Sequence, residues 1–83
     1  MKSFGGSYLV NEIKHFLKKK YPRFSFQKLY SEDNGFRSET IYTIILFDNE
    51  EGEPVCVRVS YQCYVGLDLL DEILRQLEEW IND

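Results

Sequence analysis

The pattern of apolar residues predicts an α+β fold: a two-layer sandwich in which a three-stranded antiparallel sheet packs on helices, in the order α-β-β-β-α. Three observations carry that prediction. A helical apolar period marks both ends of the chain, near Leu9–Leu17 and Leu69–Ile81. β-Branched and aromatic residues in two-residue alternation fill the middle. The connections between the middle segments are short and rich in Asn, Asp and Gly, which suits hairpins and therefore an antiparallel meander. At 83 residues, the chain holds material for one domain, residues 1–83, around one core.

Each element has its own warrant. Ser7 suits a helix N-cap, with Gly5 and Gly6 as a flexible lead-in. Leu9, Ile13, Phe16 and Leu17 then share one helix face while Asn11, His15 and Lys18 point away. Pro22 disfavours helical geometry at Tyr21, so the first helix is expected over residues 7–20. Phe24–Tyr30 alternates as a first strand, and Ser31-Glu32-Asp33-Asn34-Gly35 reads as a turn. Glu39–Asp48 reads as the central strand and Asn49–Pro54 as a second turn. Val55–Tyr64 reads as the third strand, with Val55, Val57, Val59, Tyr61 and Cys63 on one face and Arg58, Ser60 and Gln62 on the other. After Gly66, Leu67–Ile81 forms the second helix, its Leu69, Leu70, Ile73, Leu74, Leu77, Trp80 and Ile81 stripe opposed by an acidic face. Arg75 lies four residues from both Asp71 and Glu79, so either carboxylate is a candidate partner.

Composition excludes several classes. Apolar residues at 43% and charged residues at 29% describe an ordinary folded chain rather than a disordered one. The longest strongly apolar run, Ile44–Phe47, falls far short of the roughly 20 residues a membrane helix needs. Lys14, His15 and Lys18 interrupt any signal region, and a cytoplasmic location is expected. Cys56 and Cys63 sit seven apart on one strand, on opposite faces, too distant to bond to each other or to share a metal. Two free, buried or half-buried thiols suit a reducing compartment.

The search for chemistry returns little. His15 is the only histidine, it lies on the polar side of its helix, and no carboxylate is placed to orient it. No serine stands in a G-x-S-x-G setting, and Gly5-Gly6 is no phosphate loop. The acidic turn Asp48–Glu53 lacks the alternating ligands of a calcium loop. The expectation is a non-enzymatic protein without cofactor or metal.

Two anomalies point to surfaces instead. Residues 1–28 hold seven Lys and Arg against Glu12, a net of +6, while residues 29–83 hold three against thirteen carboxylates, a net of −10, which together give −4. The halves either attract each other within the fold or present a basic end (Lys14, Lys18, Lys19, Lys20, Arg23 and Lys28) and an acidic one. The central strand is apolar on both faces: Ile41, Thr43, Ile45 and Phe47 on one, Tyr42, Ile44 and Leu46 on the other. A sheet wet on one side should alternate cleanly, so either the helices divide between the two faces or a partner covers the second, as open apolar faces often mark interaction sites. With the helices on the Ile45 face, Tyr42, Ile44, Leu46, Arg58 and Tyr64 are left as the partner-binding surface, and Glu50 and Glu51 steer a basic partner.

The element order resembles the double-stranded-RNA-binding domain. That family places a basic cluster at the start of its second helix, where this chain has Leu67-Asp68-Leu69-Leu70-Asp71-Glu72, so RNA binding does not carry over. The junction Leu17-Lys18-Lys19-Lys20-Tyr21-Pro22-Arg23-Phe24-Ser25-Phe26 resembles small accessory domains of phage and conjugative-element proteins, which implies an accessory or inhibitor protein of a mobile element. The functional expectation is therefore a protein-interaction module that binds a host protein or a second copy of itself. The alternative is a nucleic-acid-binding domain using the basic first helix and the Lys18–Lys28 junction, where Tyr21, Phe24 and Phe26 could stack on bases, although Phe24 and Phe26 suit the core better. The excess of acid over base speaks against nucleic acid.

Overall fold

A computed structural model of the chain describes residues 4–34, 36, 38–62 and 66–83, with side chains from Tyr8 onward. Its elements run α1 (Phe4–Lys20), β1 (Phe24–Asn34), β2 (Glu39–Asp48), β3 (Glu53–Gln62) and α2 (Leu69–Asn82). The strands form one antiparallel sheet in the order β1-β2-β3, so the fold is the expected α-β-β-β-α arrangement with an open three-stranded sheet.

Several boundaries move, each for a physical reason. Helix α1 begins at Phe4, which puts Gly5, Gly6 and Ser7 inside it rather than before it. The docked Leu9, Ile13 and Leu17 stripe carries the helix through two poor helix formers, since most helical stability comes from packing. Strand β1 continues through Ser31–Asn34, which the turn propensities assign to a loop. Pairing of Ser31 with Tyr42 and of Asn34 with Glu39, supported by a 2.9 Å bond from Thr40 Oγ1 to Asp33, outweighs that propensity. Ser38, just before β2, takes φ 50°.

The second hairpin turns tightly over Asn49–Gly52, with Gly52 at φ 73° and its N–H bonded to the Asp48 carbonyl at 2.7 Å. Pro54 then joins β3, an edge strand, where a missing outward N–H costs no ladder bond. Helix α2 starts at Leu69 rather than Leu67 because Asp68 caps it, accepting the Asp71 N–H at 3.1 Å. Asp71 and Glu72 in the first turn suit the positive end of the helix.

Both helices lie on the same face of the sheet. Leu9, Ile13 and Leu17 of α1 and Ile73 and Leu77 of α2 close over Phe24, Ile44, Leu46, Val57 and Val59 in one core. Leu69, Leu70, Leu74 and Ile81 pack on it half-buried, while Trp80 stays 38% exposed and meets Phe24 edge-on at 5.7 Å. Among the described residues, no buried side-chain nitrogen or oxygen lacks a hydrogen-bond partner.

Candidate interaction surfaces

Register decides which sheet face is covered. Ile44 stands opposite Val57, Tyr42 opposite Val59 and Leu46 opposite Val55, so the valine side of β3 and the Ile44 side of β2 form one apolar surface. The helices take it. Ile44 and Leu46 are fully buried, which corrects the expectation that they are open to a partner. Tyr42 is half-buried against the same core, and burial, with Asp33 and Tyr61 nearby, raises its hydroxyl pKa above the ordinary phenol value. Tyr64 and Cys63 lie outside the described residues.

The uncovered face is the other one. Ile41, Thr43, Ile45 and Phe47 run half-exposed down its centre. Thr43 is flanked by Tyr30, 53% exposed, and by Arg58; Ile45 is flanked by Lys28 and Cys56. Cys56 is free and exposed, against the expectation of a buried or half-buried thiol. The Ser60 hydroxyl bonds to Glu39 at 2.5 Å at one end. Among the described residues, Arg58 is thus the one predicted partner-binding residue that this face retains. Glu50 and Glu51 stand at the exposed hairpin tip, apart from it.

The predicted basic residues are only partly brought together. Lys14 and Lys18 line a groove between α1 and β1 with Pro22, Ser25 and Phe26, and Lys14 lies 5.9 Å over the Phe26 ring. Lys28 projects from the open sheet face, and Lys19 is exposed on α1. Lys20 and Arg23 are engaged by carboxylates. Phe24 is buried and Phe26 and Tyr21 pack on the core, so none is a free stacking platform.

Those engaged cations show that the two charge halves attract each other within the fold. Glu78 of α2 accepts from the Tyr21 hydroxyl at 2.7 Å and Lys20 Nζ at 3.2 Å, and both hold its carboxyl below the usual range. Arg23 grips Asp48 and approaches Glu50 at 3.6 Å. On α2, Arg75 pairs with Glu72 and Glu79, the latter at 2.6 Å, rather than with Asp71. The Arg75 guanidinium, then the Gln76 amide, fix Glu72 and lower its pKa.

Gln76 has a second task that sequence reasoning missed. Its amide caps the outer edge of β3, accepting the Ser60 N–H at 3.2 Å and donating to the Ser60 carbonyl at 2.8 Å. Beyond that clasp a groove of about 700 Å³ opens between β3 and the second half of α2, lined by Val57, Arg58, Arg75, Glu79, Trp80 and Asp83. A lone glutamine on a helix carries no sequence signal for such a cap.

No group of three or more His, Cys, Asp or Glu among the described residues is placed to hold a metal ion. No helix among them is long and apolar enough to cross a membrane. No family model, curated protein or solved structure matches the chain.

Proposed function

We propose that this chain is a small non-enzymatic protein-interaction module that docks a partner protein on the open face of its sheet. The observation that supports the reading is the central stripe Ile41, Ile45 and Phe47, half-exposed on the face without helices and bordered by Tyr30. An apolar stripe with an amphipathic aromatic at its margin and cations beside it has the make-up of an interface centre and rim. Lys28 and Arg58 flank the stripe on opposite sides, so the matching surface is apolar at its centre and acidic at its edges. The accessory or inhibitor role implied by the Leu17–Phe26 likeness is one setting for such a module. In this fold, though, that junction is occupied with packing: Leu17 and Phe24 are buried and Arg23 binds Asp48.

The test is Ile45→Glu compared with wild type and with Lys19→Glu, a charge change away from this face. Affinity capture from the source cells and sedimentation are run on all three. The expected result is a folded Ile45→Glu protein that loses a partner, or a self-association, that Lys19→Glu keeps. Equal recovery of the same partners by all three proteins sinks the reading.

A further inference from the structure

The geometry points to the free edge of β3 at Cys56–Arg58 as a binding site for an extended, basic peptide segment that adds to the sheet as a fourth strand. This edge adjoins the open face, but its outward main-chain groups belong to β3, and Ile45→Glu on β2 leaves them in place.

The edge is a defined window. In an antiparallel ladder alternate residues turn their N–H and C=O groups outward. The Gln76 clasp shows that Ser60 turns outward, so Arg58 and Cys56 do as well, and so does Pro54, which has no N–H. Gln76 closes one end of the window and Pro54 the other. Between them Cys56 and Arg58 offer two N–H and two C=O groups with no strand beside them, since among the described residues β3 has only β2 for a neighbour. These four groups are what an extended main chain satisfies when it joins a sheet.

The surroundings select the side chains. An added strand lies about 4.8 Å outside β3 and sends alternate side chains to the two faces of the sheet. On the helix side they enter the groove of about 700 Å³, against Trp80, Glu79 and Asp83. Arg75 is already neutralised between Glu72 and Glu79, and Arg58, the other cation of the groove, stands opposite Thr43 on the open-face side. On the helix side the lining acids Glu79 and Asp83, with Glu78 shared with Lys20, therefore outweigh the cations. A guanidinium suits this groove, stacked on the exposed indole face and near the acids. On the other side the added strand borders both Cys56 and Arg58, where apolar residues extend the Ile45 stripe and no cation of the peptide is placed. The fitting segment therefore alternates basic and apolar residues. A second copy of this chain fits less well, because pairing β3 with its own copy sets two acidic α2 helices side by side.

A blocked hexapeptide alternating valine and arginine is the probe, titrated at low salt. Trp80, the only tryptophan, reports by fluorescence, and amide shifts report on Cys56 and Arg58. The expected result is saturable binding that moves both signals. The same peptide N-methylated at the amides that face β3 keeps every charge and binds about tenfold more weakly or worse. Glu79→Lys, at a well-exposed position, also weakens binding. Equal binding of the methylated and unmethylated peptides means charge attraction alone and overturns the proposal, as do amide shifts that avoid Cys56 and Arg58. Shifts at those amides that grow with protein concentration alone, with dimers in sedimentation, assign the edge to a second copy and overturn it too.

Discussion

Arg23 holds Asp48 with both prongs of its guanidinium, Nε to Oδ1 at 3.0 Å and Nη2 to Oδ2 at 2.8 Å. The same carboxylate accepts the backbone N–H groups of Glu50 and Glu51 at 2.9 and 3.2 Å. One nearly buried acid therefore ties the start of β1 to the end of β2 and shapes the hairpin tip. Asn49 reinforces the tie, donating to the Pro22 carbonyl and the Ser25 hydroxyl.

The first expected outcome concerns acid. The Arg23 guanidinium, helped by the two backbone donors, pulls the Asp48 carboxyl from 3.8 down to about 2. A depressed carboxyl stabilises the fold fully above its unfolded value, and the gain is lost as pH falls through the folded one. Melting of wild type and Asp48→Asn is measured from neutral pH to about 2. Wild type is the more stable at neutral pH, and its lead shrinks between 3.8 and about 2. Glu72 and Glu78, also depressed, titrate in both proteins and cancel in the difference. A constant lead across that range contradicts the assignment.

Core packing gives the second. Leu77 is fully buried beneath α2, so Leu77→Ala is expected to cost about 2–5 kcal/mol. For a domain of this size that is a large share of a total of about 5–10 kcal/mol. Urea unfolding checks it, and an unchanged midpoint shows that α2 is not docked as described.

Neighbours on β2 give the third. Ile44→Glu puts a charge in a fully buried site and is expected to cost about 4 kcal/mol or more, leaving little folded protein. Ile45→Glu, one residue on and on the open face, is expected to fold with a melting temperature near wild type. Circular dichroism of the pair decides which face is core. The reverse outcome inverts the sheet.

Removal of the Gln76 clasp gives the fourth. Gln76→Ala frees both outward groups of Ser60, with an expected cost of about 1–3 kcal/mol. Hydrogen exchange at the Ser60 amide should speed up by more than at Val59, which faces Tyr42 inside the ladder. Equal changes at both amides indicate general loosening rather than an opened edge.

Much of this fold was legible in the residues. The β2 span Glu39–Asp48 and the α2 stripe follow from alternation and helical period, because tertiary packing agrees with local preference there. The covered face did not follow, since β2 is apolar on both sides and alternation alone cannot rank them. The missing information was the reach of the second hairpin. A four-residue turn over Asn49–Gly52 pairs Asp48 with Glu53, and counting back from that pair sets Val57 against Ile44. A register one residue different would have put the valines against Ile45. The groove beside β3 was out of reach, because it depends on where α2 crosses the edge.

The two edges of this sheet are not equivalent, and the difference bears on polymer growth. Gln27 stands unpaired between Phe26 and Lys28, a bulge that bends β1, and acidic residues Glu32 and Asp33 follow on the same strand. In polymer terms, a molecule with two straight edges is difunctional and can add head to tail without limit. This one is monofunctional. A strand that joins β3 terminates growth, because the far side of the molecule offers a kinked, charged end group. An exposed sheet edge is thereby compatible with a finite assembly rather than a fibre.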